Sequence, residues 1–136
     1  MTQSSLNILV VCMANYCRSP VAEFLLKERY FDKHNIDSAG LIDFPEFVMD
    51  SRSIKFLKSI GKTAPVHQPK KITKKLQKDN VFNILVIGGS LGAKIFNEVI
   101  PKAVFGLKKI TDYEINIIHQ TGKTYKIAQV QYKNFS

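Results

Sequence analysis

The sequence is poor in cysteine, in arginine and in long apolar runs. Its 136 residues include two cysteines, too few for a disulfide framework or a four-thiolate zinc site, so we expect a reducing, cytoplasmic setting. No apolar run approaches the roughly 18 residues that a membrane span needs. The start of the chain also lacks the basic and apolar segments of a secretory signal. We therefore expect one ordinary domain, residues 1–136, with no membrane partner.

The charge is strongly positive, but arginine contributes little of it. The formal net charge is +9, and of 20 basic residues only Arg18, Arg29 and Arg52 are arginines. Nucleic-acid-binding proteins usually place arginine and aromatic side chains on one surface, so we do not favour a nucleic-acid partner. A positive field also attracts anionic substrates. No histidine lies close in sequence to another pair of potential metal ligands, so we expect no metal site. We also expect no cofactor.

Short apolar runs alternate with segments of helical period. The strand-like runs cover residues 8–11, 35–38, 81–87 and 113–118, and helical segments cover 20–33, 50–61, a Lys-rich stretch after Pro69, the residues after 88–90, and 123–133. This alternation predicts the α/β class: a three-layer sandwich with a central, mainly parallel four-stranded sheet and helices on both faces. Ligands of such sheets bind beyond the carboxyl ends of the strands.

The loop after the first strand carries a cysteine and an arginine. It reads Cys12-Met13-Ala14-Asn15-Tyr16-Cys17-Arg18-Ser19, followed by Pro20. Ser19 is a good N-cap, and a helix N-terminus offers unpaired N–H groups and a positive dipole end. A tight loop can turn further N–H groups inward, and the Arg18 fork matches two phosphate oxygens. We therefore assign phosphate binding to Met13, Ala14, Asn15, Tyr16, Cys17, Arg18 and Ser19.

The same field acts on the Cys12 thiol. Cations and helix N-termini lower the pKa of a thiol, so we expect Cys12 to be a nucleophilic thiolate at neutral pH. We expect the Ser19 hydroxyl to donate to the sulfur. We expect the Asn15 side chain to hold the shape of the loop through hydrogen bonds to the neighbouring backbone. Arg18 and the loop amides can carry the charge of the phosphoryl oxygens without a metal.

These residues, with their flanks from Ile8 to Glu23, closely resemble the signature of the low-molecular-weight protein tyrosine phosphatases. The similarity continues through 37–40, 50–52 and His67, and it covers about residues 6–80. It implies that Cys12 is the nucleophile, that Arg18 binds phosphate and that Asn15 and Ser19 support the thiolate. It also implies that Cys17 can form a reversible disulfide with Cys12.

The sequence departs from that family in three places. Ala14 stands where glycine is usual, which carries a cost if that position needs a positive φ, and Tyr16 replaces a small or aliphatic residue. The late Asp-Pro-Tyr element, whose aspartate protonates the leaving oxygen, is missing. Its nearest counterpart is Thr111-Asp112-Tyr113, so Asp112 is our candidate proton donor and Asp43 a weaker substitute.

A second resemblance covers about residues 82–132. The motifs at 84–93 and 117–123 look like the nucleotide-sugar half of the glycosyltransferase that adds N-acetylglucosamine in peptidoglycan synthesis. In that family the Gly-Gly-Ser turn, here 88–90, lies near the diphosphate of the UDP-sugar. The chain lacks the acceptor domain, so we do not expect glycosyl transfer. The pattern predicts a hybrid of two α/β halves, joined near residues 78–84.

Together these features predict a phosphate-monoester hydrolase. The preferred function is protein-tyrosine phosphatase activity through a phosphocysteine intermediate, with a phosphotyrosine protein or a small phosphomonoester as substrate. Two alternatives stay open: an arsenate reductase of the same fold, and a non-catalytic module that binds phosphate or a UDP-sugar.

Overall fold

Four strands form one parallel sheet at the centre of the molecule. A computed structural model describes residues 5–31, 33–45, 48–73, 81–88, 93–110, 112 and 114–134. The strand order is β2-β1-β3-β4, and every neighbouring pair is parallel. The strands are β1 (Asn7–Cys12), β2 (Asn35–Gly40), β3 (Val81–Ile87) and β4 (Glu114–Gln120). The predicted α/β class and its parallel sheet are confirmed.

Four helices connect and cover these strands. They are α1 (Arg18–Tyr30), α2 (Ser51–Ser59), α3 (Ala93–Ile110) and α4 (Tyr125–Asn134), the last preceded by a 3-10 turn at Gly122–Thr124. Within the ranges just given, no helix combines the length and the apolar character that crossing a bilayer requires.

The core lies on both faces of the sheet. On one face, side chains of β1 and β3 such as Val11 and Val86 pack against Phe96 and Ile100 of α3. Successive strand residues point to opposite faces, so Val10, which is fully buried, faces the other side, where α1 contacts β1 and β2. The helices therefore cover both faces, as the alternating pattern predicted.

Two predicted helix starts differ from the structure. Helix α1 begins at Arg18 with Cys17 as its N-cap residue, which makes no side-chain capping bond, so the assignment of Ser19 as N-cap was wrong. Residues 70–73 are extended rather than helical, because Gly40 accepts from the amide of Ile72 and donates to the carbonyl of Lys70. The rest of the predicted Lys-rich helix, 74–80, lies outside the described residues.

The second helix follows its predicted limits closely. Asp50 caps α2, since its carboxylate accepts from the amide of Arg52 at 2.8 Å. The chain then turns out of the helix at Gly61, whose φ of +76° suits glycine.

The sheet brings the two halves of the chain together. Strand β1 lies between β2 and β3, so the first half and the segment from residue 81 share one set of backbone hydrogen bonds. Cys12 and Gly40 are partners at the carboxyl ends of β1 and β2. The predicted chemical loop therefore leaves the sheet at the edge where parallel sheets bind ligands.

Candidate active site

The Cys12 loop, residues 12–19, connects the end of β1 to the first turn of α1. Cys12 is 2 % exposed, and its sulfur lies 2.9 Å from the Ser19 hydroxyl oxygen. The backbone amides of Asn15 and Ser19 also donate to it. Ser19 lies in the first turn of the helix rather than at its N-cap position. Its hydroxyl therefore hydrogen-bonds the Cys12 sulfur instead of a backbone amide at the helix end.

The surroundings of the sulfur stabilise its ionised form. Burial alone would raise the pKa of Cys12, but the Ser19 hydroxyl, the amides of Ser19 and Asn15 and the charge of Arg18 together outweigh burial and lower this pKa below its ordinary value. A lowered thiol pKa is the property that makes a cysteine a nucleophile at neutral pH.

Asn15 holds the loop in shape. It is fully buried and has a φ of 52°, a left-handed conformation that asparagine tolerates better than most residues. Its side-chain nitrogen Nδ2 donates to the hydroxyls of Ser19 at 2.9 Å and Ser38 at 2.7 Å, and its side-chain oxygen Oδ1 accepts from the backbone amide of Lys70 at 3.0 Å. These bonds tie the loop to β2 and to the extended segment at residue 70.

Position 14 does not need a positive φ, which occurs instead at its neighbour. Ala14 is not among the described non-glycine residues with positive φ, whereas Asn15 is. The replacement of glycine by Ala14 therefore carries no left-handed strain here.

Strand β2 closes the loop from behind. A Cβ atom placed on Gly40 would lie 2.7 Å from the carbonyl carbon of Ala14 and 2.8 Å from the amide nitrogen of Asn15. Such distances are shorter than real carbon contacts, so only glycine fits. Ser38, two residues earlier, bonds Asn15 and also lies 2.5 Å from a carboxylate oxygen of Glu23.

The start of α2 supports the loop from the other flank. The Asp50 amide donates to the carbonyl of Tyr16 at 3.0 Å, and the Ser53 hydroxyl donates to the carbonyl of Cys17 at 2.9 Å. Ser53 also lies 3.2 Å from the Cys17 sulfur. Both cysteines are free thiols, so the disulfide that the resemblance implied is not formed in this structure.

An ion pair fixes this flank. Arg52 donates to both carboxylate oxygens of Asp50, at 3.0 and 2.9 Å. The side-chain hydrogen bonds from Arg52, opposed by burial and aided by its charge and by backbone donors, lower the pKa of Asp50 to about 2.

Aromatic and acidic side chains lie on the rim of the loop. The ring of Tyr16 is 4.2 Å from that of Phe44, centroid to centroid. The amides of Leu41 and Ile42 donate to the carbonyl of Met13 at 2.7 and 3.0 Å. Asp43 therefore lies between two residues whose partners belong to the Cys12 loop.

Asp112 lies at the wrong edge of the sheet for the predicted catalytic role. It is an exposed residue that precedes β4, whose first residue, Glu114, pairs with Val81 at the start of β3. Cys12 ends β1, at the opposite edge. Strands of six and seven residues separate these edges by roughly 20 Å. Asp112 therefore cannot protonate a leaving group bound at Cys12.

The remaining predicted features are placed as follows. His67 hydrogen-bonds the Cys12 loop, with Nε2 2.6 Å from the carbonyl oxygen of Asn15. His119 lies near the end of β4, where Nδ1 is 3.1 Å from the Tyr132 hydroxyl. Residues 89 and 90 of the Gly-Gly-Ser turn, and the two residues that follow it, lie outside the described part of the chain. Across the part that is described, no group of three or more His, Cys, Asp or Glu side chains could hold a metal ion.

Sequence reasoning missed several residues that the fold brings to the loop. Ser38, Gly40, Ser53 and Lys70 all contact it from more than 20 residues away along the chain. The sequence did predict that Asp50 caps α2 and that a glycine ends β2. Neither feature indicates that the residue contacts the Cys12 loop.

The fold and the site together define an α/β domain in which loop amides donate to a buried cysteine sulfur and an arginine begins the next helix. The model of the low molecular weight phosphotyrosine protein phosphatase family matches residues 7–114, and the chain belongs to this family. It is 40% identical over 72 residues to a low molecular weight protein-tyrosine-phosphatase of Acinetobacter johnsonii, a match that covers 53% of this chain and 50% of that protein.

A second relative is an enzyme with a different activity. The chain is 48% identical over 50 residues to the UDP-N-acetylglucosamine–N-acetylmuramyl-(pentapeptide) pyrophosphoryl-undecaprenol N-acetylglucosamine transferase of Idiomarina loihiensis, covering 37% of this chain and 13% of that protein. The chain thus spans half, or much less, of the length of these relatives. The second resemblance is shown as a partial similarity.

Solved structures share the fold over most of the chain. The low molecular weight protein tyrosine phosphatase of Streptococcus pyogenes is 21% identical with a TM-score of 0.60, covering 93% of this chain and 86% of that one. A thioredoxin-dependent arsenate reductase of Corynebacterium glutamicum is 13% identical with a TM-score of 0.55, covering 99% and 60%. At these identities the likeness establishes the fold alone.

Proposed function

We propose that this chain hydrolyses phosphate monoesters, with phosphotyrosine in proteins as the preferred substrate. The observation that carries the proposal is the Cys12 sulfur at the base of the loop, 2.9 Å from the Ser19 hydroxyl and with a lowered pKa. Family membership supports the hydrolase class, and the geometry of the loop supports a nucleophilic mechanism.

The reaction has two steps. The Cys12 thiolate attacks phosphorus, so that an S–P bond forms as the ester P–O bond breaks and the leaving oxygen takes a proton. Water then attacks phosphorus in the phosphocysteine, which releases inorganic phosphate and regenerates the thiolate. The amides of the loop and the Arg18 guanidinium bind the three phosphoryl oxygens, on which charge is distributed during both steps.

We assign the proton transfer to Asp43 in place of Asp112. Asp43 is the carboxylate between Ile42, bonded to Met13, and Phe44, packed on Tyr16. Its side chain is 83% exposed, and a long 3.4 Å contact with the exposed Lys71 ammonium holds it only weakly, so it can turn toward a bound ester. In the second step the ionised carboxylate would accept the proton of the attacking water.

Arsenate reduction is the second candidate. It is supported by the free thiols of Cys12 and Cys17 in one loop, one of which could resolve an adduct on the other. It is disfavoured because the chain has no third cysteine to regenerate the pair. Thiol-dependent reduction of arsenate at a rate above that of ester hydrolysis would favour this candidate.

A non-catalytic role as a UDP-sugar-binding module is the third candidate. The partial similarity to the transferase supports it. Calorimetry with UDP-N-acetylglucosamine would show saturable binding if this role is correct, and no phosphatase burst would accompany it.

The Cys12→Ser variant tests the proposed function. We expect it to lose hydrolysis of p-nitrophenyl phosphate, because a serine hydroxyl is not ionised at neutral pH, and to lose the covalent phosphoenzyme that the mechanism predicts for the parent with labelled phosphate ester. Circular dichroism checks that the variant is folded. A variant that turns over as fast as the parent would contradict the mechanism.

The proposed reaction needs a reduced Cys12, and for this reason we propose that the protein acts in the cytoplasm.

A further inference from the structure

A groove beside the Cys12 loop is the feature that the proposed chemistry does not use. It has a volume of about 520 Å³ and lies between α2 and the segments 48–49 and 62–67. Its lining includes three exposed aliphatic side chains, two lysines and a histidine: Val48, Ile54, Val66, Lys58, Lys62 and His67.

The aliphatic side chains of this groove are unusually exposed. Val66 is fully exposed, Val48 is 57% exposed and Ile54 is 41% exposed. Single exposed aliphatic residues are ordinary, but several around one concave surface are typical of a site that binds another molecule.

Both walls of the groove are joined to the Cys12 loop. On one side, Val66 precedes His67, which hydrogen-bonds the carbonyl of Asn15 at 2.6 Å. On the other side, segment 48–49 leads directly into Asp50, whose amide donates to the carbonyl of Tyr16 at 3.0 Å. The groove therefore lies beside the Cys12 loop and is held there by these hydrogen bonds, although no residue of the loop is among those that line it.

The charged residues of the groove are basic. Lys62 is paired with Glu28 at 2.9 Å, whereas Lys58 takes part in none of the ion pairs formed among the described residues. No acidic side chain lines the groove among those residues. The lining therefore complements a ligand that combines apolar and acidic groups.

We propose that the groove binds the polypeptide segment next to the phosphorylated residue of a protein substrate, through apolar and acidic side chains of that segment. The proposal rests on the proposed function, and it selects a phosphorylated protein over a small phosphomonoester. A segment that bends from the Cys12 loop into the groove would place an apolar side chain against Val66 and Ile54, and an acidic one beside Lys58.

Two groove variants and one matched control test this inference. We compare kcat/KM for p-nitrophenyl phosphate with kcat/KM for a phosphotyrosine peptide that has leucine and glutamate next to the phosphotyrosine. Lys58→Glu should lower the peptide value by roughly 3–5-fold, as expected for an exposed ion pair. Val66→Asp should lower it by roughly tenfold through lost apolar burial. Both variants should leave p-nitrophenyl phosphate unchanged. Lys102→Glu, an exposed position on α3, makes the same charge change elsewhere and should alter neither substrate.

The results separate this proposal from the proposed function. If the parent shows Cys12-dependent turnover but equal kcat/KM in the parent and both groove variants, the groove proposal is wrong and the hydrolase proposal stands. If the parent shows no turnover, binding of the same peptide is measured by calorimetry on the Cys12→Ser variant, with and without Lys58→Glu. Equal affinities would overturn the groove proposal there too. A dimer that sedimentation detects and Val66→Asp abolishes would assign the groove to a second copy instead.

Discussion

Replacing Gly40 by alanine is the sharpest test of how the fold positions the loop. The added Cβ would lie 2.7 Å from the carbonyl carbon of Ala14, 2.9 Å from its Cα and 2.8 Å from the amide nitrogen of Asn15. All three atoms are backbone, so no flexible side chain can move aside. Either β2 or the Cys12 loop has to shift.

The size of the effect follows from this geometry. Forcing an extra carbon into a packed site costs roughly 1–3 kcal/mol. For a domain of this size each kcal/mol lowers the melting temperature by about 4 °C. The loss of activity should be greater, because the shifted atoms belong to the loop that holds the sulfur and, in the proposed mechanism, binds the phosphoryl group, and a displacement of about 1 Å can cost 10²-fold in rate.

The assay pairs this variant with Gly106→Ala. Gly106 is an exposed residue of α3, and its added Cβ would meet nothing within 4 Å. In a helix this change should stabilise by roughly 0.5–1 kcal/mol. Thermal melts and p-nitrophenyl phosphate turnover are measured on both variants. A Gly40→Ala protein with the parent's melting temperature and kcat/KM would refute the claim that β2 fixes the loop by direct contact.

Three further predictions concern single side chains. Ser19→Ala should raise the pKa of Cys12, because the variant lacks the hydroxyl that donates to the sulfur; the pH dependence of iodoacetate inactivation measures this, and an unchanged midpoint would contradict it. Asp43→Asn should slow hydrolysis of phenyl phosphate by roughly 10²–10⁴-fold and of better leaving groups less, whereas Asp112→Asn should slow neither. Asp50 has a pKa lowered from 3.8 to about 2, so its contribution to stability is present above pH 4 and is lost as the pH falls toward 2. Urea unfolding of Asp50→Asn should show a weaker dependence on pH in that interval.

The parts of the site that the sequence predicted are the parts that are local in the chain. Cys12, Arg18 and Ser19 lie within eight residues of one another, and a strand followed by a helix is enough to bring them together. The strand–helix alternation likewise predicted the sheet, because parallel strands require such crossovers.

The contacts that the sequence could not predict depend on strand order and register. Ser38 and Gly40 reach the loop because β2 pairs with β1 in one particular register, and a shift by one residue would turn Ser38 to the other face. The predicted role of Asp112 failed for the same reason. Asp112 lies as late in the chain as a proton donor was expected to lie, but the edge of the sheet at which it lies depends on whether it precedes or follows β4.

The two halves of the chain contribute to the site in different ways. Side chains that hydrogen-bond the Cys12 loop from elsewhere in the chain, such as Ser38, Ser53 and His67, belong to the first half. The segment from residue 81 supplies none of these groups, yet β3 pairs with β1 directly beneath the loop. Because any strand–turn–helix with an apolar strand can fill that place, the second half can resemble a transferase without changing the phosphate loop.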